Sequence, residues 1–533
     1  MLHQHVPMLG LCPHSLVSQN IQHKELDNNW SSCISYSSIR CIFVSSSLLI
    51  YYQDMDTLTI GLCAVALVVV YCTHLLLVSK WKNPKVNGVL PPGSLGLPLI
   101  GETLQFIIPS PSLDLHPFVK KRMQKYGPIF KTRLVGRPII ICTDPEVIKY
   151  VLTQEGKLVE IWYLDSFAKF FAHEGENRLN AIGKVHSYVR SITLNHFGVD
   201  RLRESLLPKV EDMIHAHLIK WSTQGPVDVK HHVSVMVFNF TAKQIFGYDV
   251  ETTKEKLSEN YTKILNSLIS FPINIPGTAF RKCMQDQAKM IKILKDTLME
   301  RLSSPEKRRG DFLDQAIDDM ESQKFLTVDF IPQLIFGILF ASFESMSTTL
   351  TLTIKFLSEY PQVVEELRAE HEAIKRRRKN PDSPLTWEEH RSMEFTHMVV
   401  KETLRIQNVA PGLFRKALKD FEVKGYTVPA GWTLMLVTPA VQLNPETFED
   451  PVTFNPWRWK ELDQVTVSKN FMPFGGGTRQ CAGAEYSKMV LATFLHILVT
   501  KYNFTKVKGG NVLRTPIVSF GDGIHIKFSP RVN

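Results

Sequence analysis

The residue with the most chemistry around it is Cys481, in the run Phe474-Gly475-Gly476-Gly477-Thr478-Arg479-Gln480-Cys481-Ala482-Gly483. Apolar helical periodicity follows over residues 486–498, so the thiol stands just ahead of a helix N-terminus. Backbone N–H groups and the helix dipole favour a thiolate there, and the glycines let the chain approach a flat ligand closely. Such a thiolate is a metal ligand or a nucleophile; an inert buried thiol is the plainer alternative. A second island lies in the run 330–360, which is apolar nearly all round. Ala341, Glu344, Ser345 and Thr348 recur there at i, i+3, i+4 and i+7 and share one stripe. The stripe reads either as hydroxyls bonded back to the preceding turn around one satisfied acid, or as a proton relay beside something bound in the core. Glu402 and Arg405 make an i,i+3 pair of opposite charge, taken alone an ordinary helical ion pair.

These residues need elements to hold them. Asp329 is placed to cap a helix that runs to the stop at Pro361, about 45 Å at 1.5 Å per residue. In a bilayer Glu344 near its centre would cost ~2.5–3.5 kcal/mol, so a core helix is expected rather than a second span. Residues 128–134 and 137–142 read as strands around a Gly, helical patterns dominate from about 145 to 360, and short strand-like runs return at 421–436 and near the C-terminus. The expected fold class is mainly α with small β-sheets.

Residues 58–78 carry no formal charge over 21 positions, enough at 1.5 Å per residue to cross a hydrocarbon layer of ~30 Å. Lys80, Lys82 and Lys85 follow while Asp54 and Asp56 precede, so the positive-inside bias leaves the long C-terminal part cytosolic behind a single anchor. The run is longer than a signal peptide's apolar core, and no small-residue cleavage site stands before the lysines. Met55 sits directly before the span in the layout of a start, and residues 1–54 keep no period. We therefore expect an upstream extension at 1–54, the anchor at 55–79, a basic, Pro-rich, stiff hinge at 80–101 and one body at 102–533. With 44% hydrophobic and 21% charged residues, the 533-residue chain is not collagen-like, a coiled coil or wholly disordered. Lys and Arg exceed Asp and Glu by 10. Two basic residues (Lys24, Arg40) and four acidic ones (Glu25, Asp27, Asp54, Asp56) lie before residue 79, so the excess beyond it is 12. It falls in bursts such as Lys375-Arg376-Arg377-Arg378-Lys379 without a zinc-finger, RNP or basic-zipper pattern, and nucleic acid is not expected as a partner. Five of the eight Cys precede residue 73 and no CxxC occurs, which fits a reducing compartment for the body.

The spacing F-x-x-G-x-R-x-C-x-G at 474–483 resembles the haem-ligand loop of the cytochromes P450; its five fixed residues would recur by chance on the order of once in ten thousand such chains. The resemblance extends from about Trp81 over most of the chain. Glu402-Thr403-Leu404-Arg405 matches the family's ExxR, and Pro456-Trp457-Arg458-Trp459 the segment whose Arg completes a buried Glu–Arg–Arg cluster. It implies a cytochrome P450 fold behind an N-terminal transmembrane helix, and haem b (iron protoporphyrin IX) with Cys481 as the axial iron ligand. It places Arg479, Arg415 and Arg190 at the haem propionates, Phe474 among the haem-binding residues, and Glu402, Arg405 and Arg458 in a structural network. Glu344 and Ser345 become the catalytic proton-delivering pair. The chain departs from the family's A/G-G-x-D/E-T at Ser342 and Ser345, and from a frequent Trp at His186.

The segments WYLDSFAKFF (162–171), HSYVRSITLNHFG (186–198), FASFES (340–345), STTLTL (347–352) and NPWRWK (455–460) are similar to the plant microsomal subgroup that oxidises triterpenes and sterols, the cucurbitadienol 11-hydroxylase type included. That similarity implies a pocket lined by Trp162, Phe340, Ala341, Ala410, Leu413 and Phe520, with Tyr163, Phe167, Phe336, Val409 and Val518 beside them, for a hydrophobic triterpenoid or steroid. It also implies dioxygen as co-substrate and an endoplasmic reticulum membrane location. NADPH is used indirectly: no convincing G-x-G-x-x-G follows a strand and no segment is spare for a flavin domain, so a separate NADPH–cytochrome P450 reductase supplies electrons, meeting a basic face near Lys488. Two rivals stand beside the monooxygenase: a haem-thiolate isomerase or lyase working without reductase, and a non-catalytic membrane sterol binder.

Overall fold

The computed structural model describes residues 57–76, 88–97, 100–171, 183–253, 256–268, 270, 273–515 and 517–531; the expected extension at 1–54 and the lysines after the anchor lie outside them. The chain divides into two units, Met1–Thr73 and His74–Asn533. Thr57–Leu76 is one helix of 20 residues with mean hydropathy 2.2. Leu58, Ile60, Leu62, Val65 and Leu67 along it are all exposed, as suits a helix solvated by lipid.

In the second unit the apolar run forms the helix Phe330–Glu359, whose buried Ile, Leu, Met and Phe residues from Phe330 to Leu357 belong to the main core. It packs against the helices Val229–Phe246, Ala279–Ser303 and Glu394–Gln407. The expected cap at Asp329 is not made by its side chain. Lys295 of the Ala279–Ser303 helix draws that carboxylate into an ion pair of 2.5 Å, and Thr327 Oγ1 accepts the Phe330 N–H instead at 3.1 Å. A charged partner outcompetes a neutral amide for the same oxygen.

A five-stranded sheet carries the other half of the site. Its order is Ile129–Leu134, Arg137–Cys142, Thr433–Leu436, Leu413–Ala417 and Val159–Ile161, antiparallel except for the parallel pair Arg137–Cys142 and Thr433–Leu436. The first hairpin turns through Val135 and Gly136 at φ 52° and 74°, the two positive angles that match a two-residue connection to strand twist. The Pro-rich stretch is non-helical and strapped to two sheets: Lys131 N–H of the five-stranded sheet donates to Pro92 O at 2.8 Å, and Thr427 N–H of the separate hairpin Phe421–Val423 and Tyr426–Val428 donates to Val89 O at 2.8 Å. Gly93 has φ 147°, and a Cβ on it would meet Lys131 O at 2.0 Å. A second sheet, Val227–Asp228 with Ile524–Pro530 and Tyr502–Gly509, leads directly into the helix Val229–Phe246. Asp228 caps that helix by accepting the Lys230 N–H at 3.1 Å, which fixes Lys230 in its first turn.

Candidate active site

Cys481 closes an eight-residue loop by donating its N–H to Phe474 O at 3.0 Å. Gly477 has φ 67°, and a Cβ there would sit 2.0 Å from Leu152 O, so the loop lies against that backbone only with glycine. Arg190, from the helix Lys184–Phe197, donates to Gln480 O at 2.6 Å and brings a cation beside the thiol. Cys481 itself remains exposed, and Ala484–Lys501 begins three residues later. Burial nevertheless pushes its thiol pKa up, against the pull of the Gly483 N–H and Arg190. The expected help from the helix end is present, but in the bare polypeptide desolvation outweighs it; a coordinated metal would take the proton off outright.

Below the loop, Glu402 is fully buried and accepts five hydrogen bonds. Arg405 Nη2 and Nε reach it at 2.8 and 2.9 Å, Arg458 Nε at 3.0 Å, Trp459 Nε1 at 3.0 Å and the Asn455 N–H at 3.1 Å. Arg405 Nη1 donates to both Gln442 O and Pro451 O, and Arg458 donates to Glu449 O. The Gln442 side chain passes the register on, donating to Asn408 Oδ1 at 2.7 Å and accepting the Met472 N–H at 3.0 Å. Trp459 also packs edge-on against Phe471 at 4.7 Å. The network thus fixes residues 471–472, the entry to the cysteine loop.

Arg415, in the strand Leu413–Ala417, and Arg479, in the loop, converge on a carboxylate the sequence had not marked, Glu155. Its Oε1 accepts from Arg479 Nε at 3.1 Å and from the Ile161 N–H at 3.0 Å, and its Oε2 lies 2.9 Å from Arg415 Nε. The last contact is bent, so both atoms are buried in an ion pair without a hydrogen bond. His186 lies near Arg479 and Arg190, and burial with those cations lowers its pKa. One exposed thiol, glycines without side chains to obstruct a flat group, and three guanidiniums fit a haem bearing two carboxylates.

On the central helix the hydroxyls do bond back: Ser345 Oγ donates to Ala341 O at 2.7 Å, Ser342 Oγ to Leu339 O at 3.1 Å and Thr349 Oγ1 to Ser345 O at 2.8 Å. The acid is different. Lys230 Nζ donates to Glu344 Oε1 at 2.9 Å, Ser347 Oγ at 2.8 Å and Thr348 Oγ1 at 2.9 Å, and Thr348 Oγ1 also donates to Glu344 at 3.0 Å. Burial lowers the Lys230 pKa, with Glu344 raising it in opposition. No periodicity ties Lys230 to Glu344, 114 residues away.

The expected pocket residues sort into two groups. Ala341 and Ala410 are exposed and Phe340 and Leu413 partly so, whereas Trp162, Phe336, Val518 and Phe520 are buried. Phe340 stands in an aromatic cluster, 5.1 Å from Phe171 and 5.8 Å from Phe167, both edge-on. Trp162 packs edge-on against Phe414 at 5.8 Å, with the Arg137 guanidinium over its ring at the same distance.

The family model described as cytochrome P450 matches residues 91–522. The cucurbitadienol 11-hydroxylase of Siraitia grosvenorii is 52% identical over 90% of this chain and 100% of that protein. A beta-amyrin 16-alpha-hydroxylase of Maesa lanceolata is 51% identical over 89% of this chain and 99% of its own length. Among solved structures, the retinoic acid bound cyanobacterial CYP120A1 superposes with a TM-score of 0.73 at 25% identity, covering 84% of this chain and all of that one.

Proposed function

The chain belongs to the cytochrome P450 family and is a monooxygenase, and on that premise we propose that it hydroxylates a hydrophobic triterpenoid or sterol at an unactivated carbon. The observation that carries the substrate class is the near-equal identity, 52% and 51%, to two hydroxylases named for different triterpene alcohols and different positions. Equal distance from both supports the class and leaves the oxidised carbon to the pocket of this chain.

A haem bound at Cys481 would supply the activation of dioxygen. The residues around it bind, orient and move protons. Arg190, Arg415 and Arg479 would hold the haem carboxylates, Phe474 and the loop glycines would leave room for the flat group, and Glu402, Arg405 and Arg458 keep the loop in register. Phe340, Ala341, Ala410 and Leu413 are apolar and at least partly exposed, while Trp162 and Phe520 are buried, and a pocket lined by them would suit a rigid hydrocarbon arriving from lipid. Glu344 and Ser345 deliver protons. Ser345 turns its hydroxyl from Ala341 O toward the substrate side to do so, and Glu344 exchanges protons through Lys230, Ser347 and Thr348, all within 3.2 Å of its own atoms or of Lys230 Nζ.

Electrons come from NADPH through a separate reductase, and the anchor holds the enzyme in the endoplasmic reticulum membrane with its body in the cytosol. Lys488, offered by the sequence as a docking cation, already pairs with Glu485 at 2.8 Å and lies 5.7 Å from the Phe474 ring centroid, so its contribution to docking is shared with an acid. Microsomes containing the chain and a reductase, fed a panel of cyclised triterpenes and sterols, are expected to yield hydroxylated products dependent on NADPH. The reduced, CO-treated protein is expected to show the thiolate-haem band and Cys481→Ala to lose it. Turnover of a hydroperoxide without reductase or NADPH, in place of oxygen-dependent hydroxylation, would overturn the reading.

A further inference from the structure

The charges around the cysteine loop do not consist of arginines alone. Arg190 reaches Gln480 O, and Arg415 and Arg479 both hold Glu155, whose side chain is only 4% exposed. Two other titratable groups face this cluster. Burial keeps the Tyr163 phenol neutral by raising its pKa, and His186 is driven toward its neutral form by burial together with Arg479 and Arg190. At neutral pH three guanidiniums and one carboxylate therefore leave two positive charges, and a haem brings two carboxylates. Glu155 meets each arginine at Nε, the nitrogen nearest the chain, rather than at its terminal edge. Its Oε1 is pinned to the Ile161 N–H, so the anchor is the sheet edge and not a mobile side chain.

We propose that Glu155 is a positioning residue for the haem: it fixes Arg415 and Arg479 by their inner nitrogens and trims the cradle to the two charges that two propionates neutralise. The proposal rests on the haem-thiolate reading of Cys481. Without Glu155 one positive charge stays buried beside the cofactor, where little water screens it. A surplus positive charge favours the reduced iron, so its signature is a potential rather than a rate.

The test uses purified holoprotein with the full chain. Glu155→Gln keeps the size and the ability to accept from Ile161 while removing the charge. In samples whose reduced-CO spectrum shows an intact thiolate-haem, the midpoint potential from spectroelectrochemical titration is expected to rise by at least threefold in the reduction equilibrium, about 28 mV at 59 mV per tenfold for one electron. Glu155→Asp is expected to stay within half of that shift. If Glu155→Gln does not accumulate as holoprotein, Glu155→Asp, which keeps the charge, is expected to restore haem incorporation to at least half of the parent level. An unchanged potential in intact Glu155→Gln, an equal rise in Glu155→Asp, or failure of Glu155→Asp to restore haem would overturn the assignment. Absence of a thiolate-haem band in the unmodified protein would instead defeat the underlying reading.

Discussion

Replacing Glu402 by Gln alters one atom in a buried carboxylate that accepts five hydrogen bonds, and its cost follows from counting donors. Oε1 accepts from Arg405 Nη2, Arg458 Nε and the Asn455 N–H; Oε2 accepts from Arg405 Nε and Trp459 Nε1. An amide nitrogen in either place turns at least two donors against another donor. Each lost bond of this kind is worth about 1.5–3 kcal/mol where a charged group takes part. The missing charge also leaves Arg405, which has no exposed side-chain surface, held by carbonyls alone. The sum is on the order of 3–5 kcal/mol, the usual penalty for removing one partner of a buried pair. Against a typical total of about 5–15 kcal/mol this is a large share. Urea unfolding followed by tryptophan fluorescence should show that loss, and the yield of protein with the thiolate-haem band should fall steeply, because residues 471–472 lose the props that align the cysteine loop. Glu402→Asp, which keeps the charge, should fall between the two. Holoprotein that does form should turn over per haem within about twofold of the parent, since Glu402 touches no reacting atom. A Glu402→Gln protein with full haem content and a stability change below ~1 kcal/mol would refute the account, and so would a large loss of turnover per haem in intact holoprotein.

Lys230→Met leaves Glu344, Ser347 and Thr348 without the ammonium they share, and product formed per NADPH consumed should drop severalfold with peroxide rising; Lys230→Met combined with Glu344→Gln should be no worse than either alone, because the two act as one unit. His371 and His496 meet at 3.0 Å through their Nδ1 atoms in the core, with Arg378, Lys375, Lys501 and His215 around His496, and burial depresses both, His496 to about 3. Since unfolding returns them to about 6.5, stability should fall as pH drops below 6.5, through His496 by about 1.4 kcal/mol per pH unit toward 3 and through His371 in the same direction, and His371→Gln with His496→Gln should flatten that slope in urea titrations at pH 7.0 and 5.5. Phe340→Ala removes the edge-on contacts to Phe171 and Phe167 on the proposed substrate side, and the distribution of hydroxylated products should change while the CO spectrum does not.

The parts of the fold that were legible are those whose information is local. A 30-residue apolar run with one acid at its middle declares a core helix, and glycines before a thiol and a helical pattern declare a close-approach loop, because period and backbone freedom are properties of adjacent residues. The Asp329 cap failed for the opposite reason: Lys295 comes from another helix, and no local rule weighs a partner 34 residues away. Lys230 and Glu155 are hidden in the same sense, their partners lying 114 and 324 residues off in the chain.

Charge balance reaches further than pattern does. Three arginines assigned to two carboxylates leave one charge over, and a buried surplus of that kind is expensive enough that the fold must either neutralise it or expose it. In the sequence three arginines pair with two carboxylates without that surplus being marked, and the acid that closes it, Glu155, emerges only from the structure. Glu344 posed the mirror question, a lone carboxylate in an apolar helix, and Lys230 is the answer. Both answers enter from the rims of sheets: Glu155 through the edge strand Val159–Ile161, and Lys230 in the turn of helix that follows Val227–Asp228. The small sheets of this mainly helical protein therefore supply the counter-charges on which its helices and its cysteine loop depend, and a substitution that shifts either sheet edge is expected to disturb haem or proton chemistry without touching a residue of the pocket.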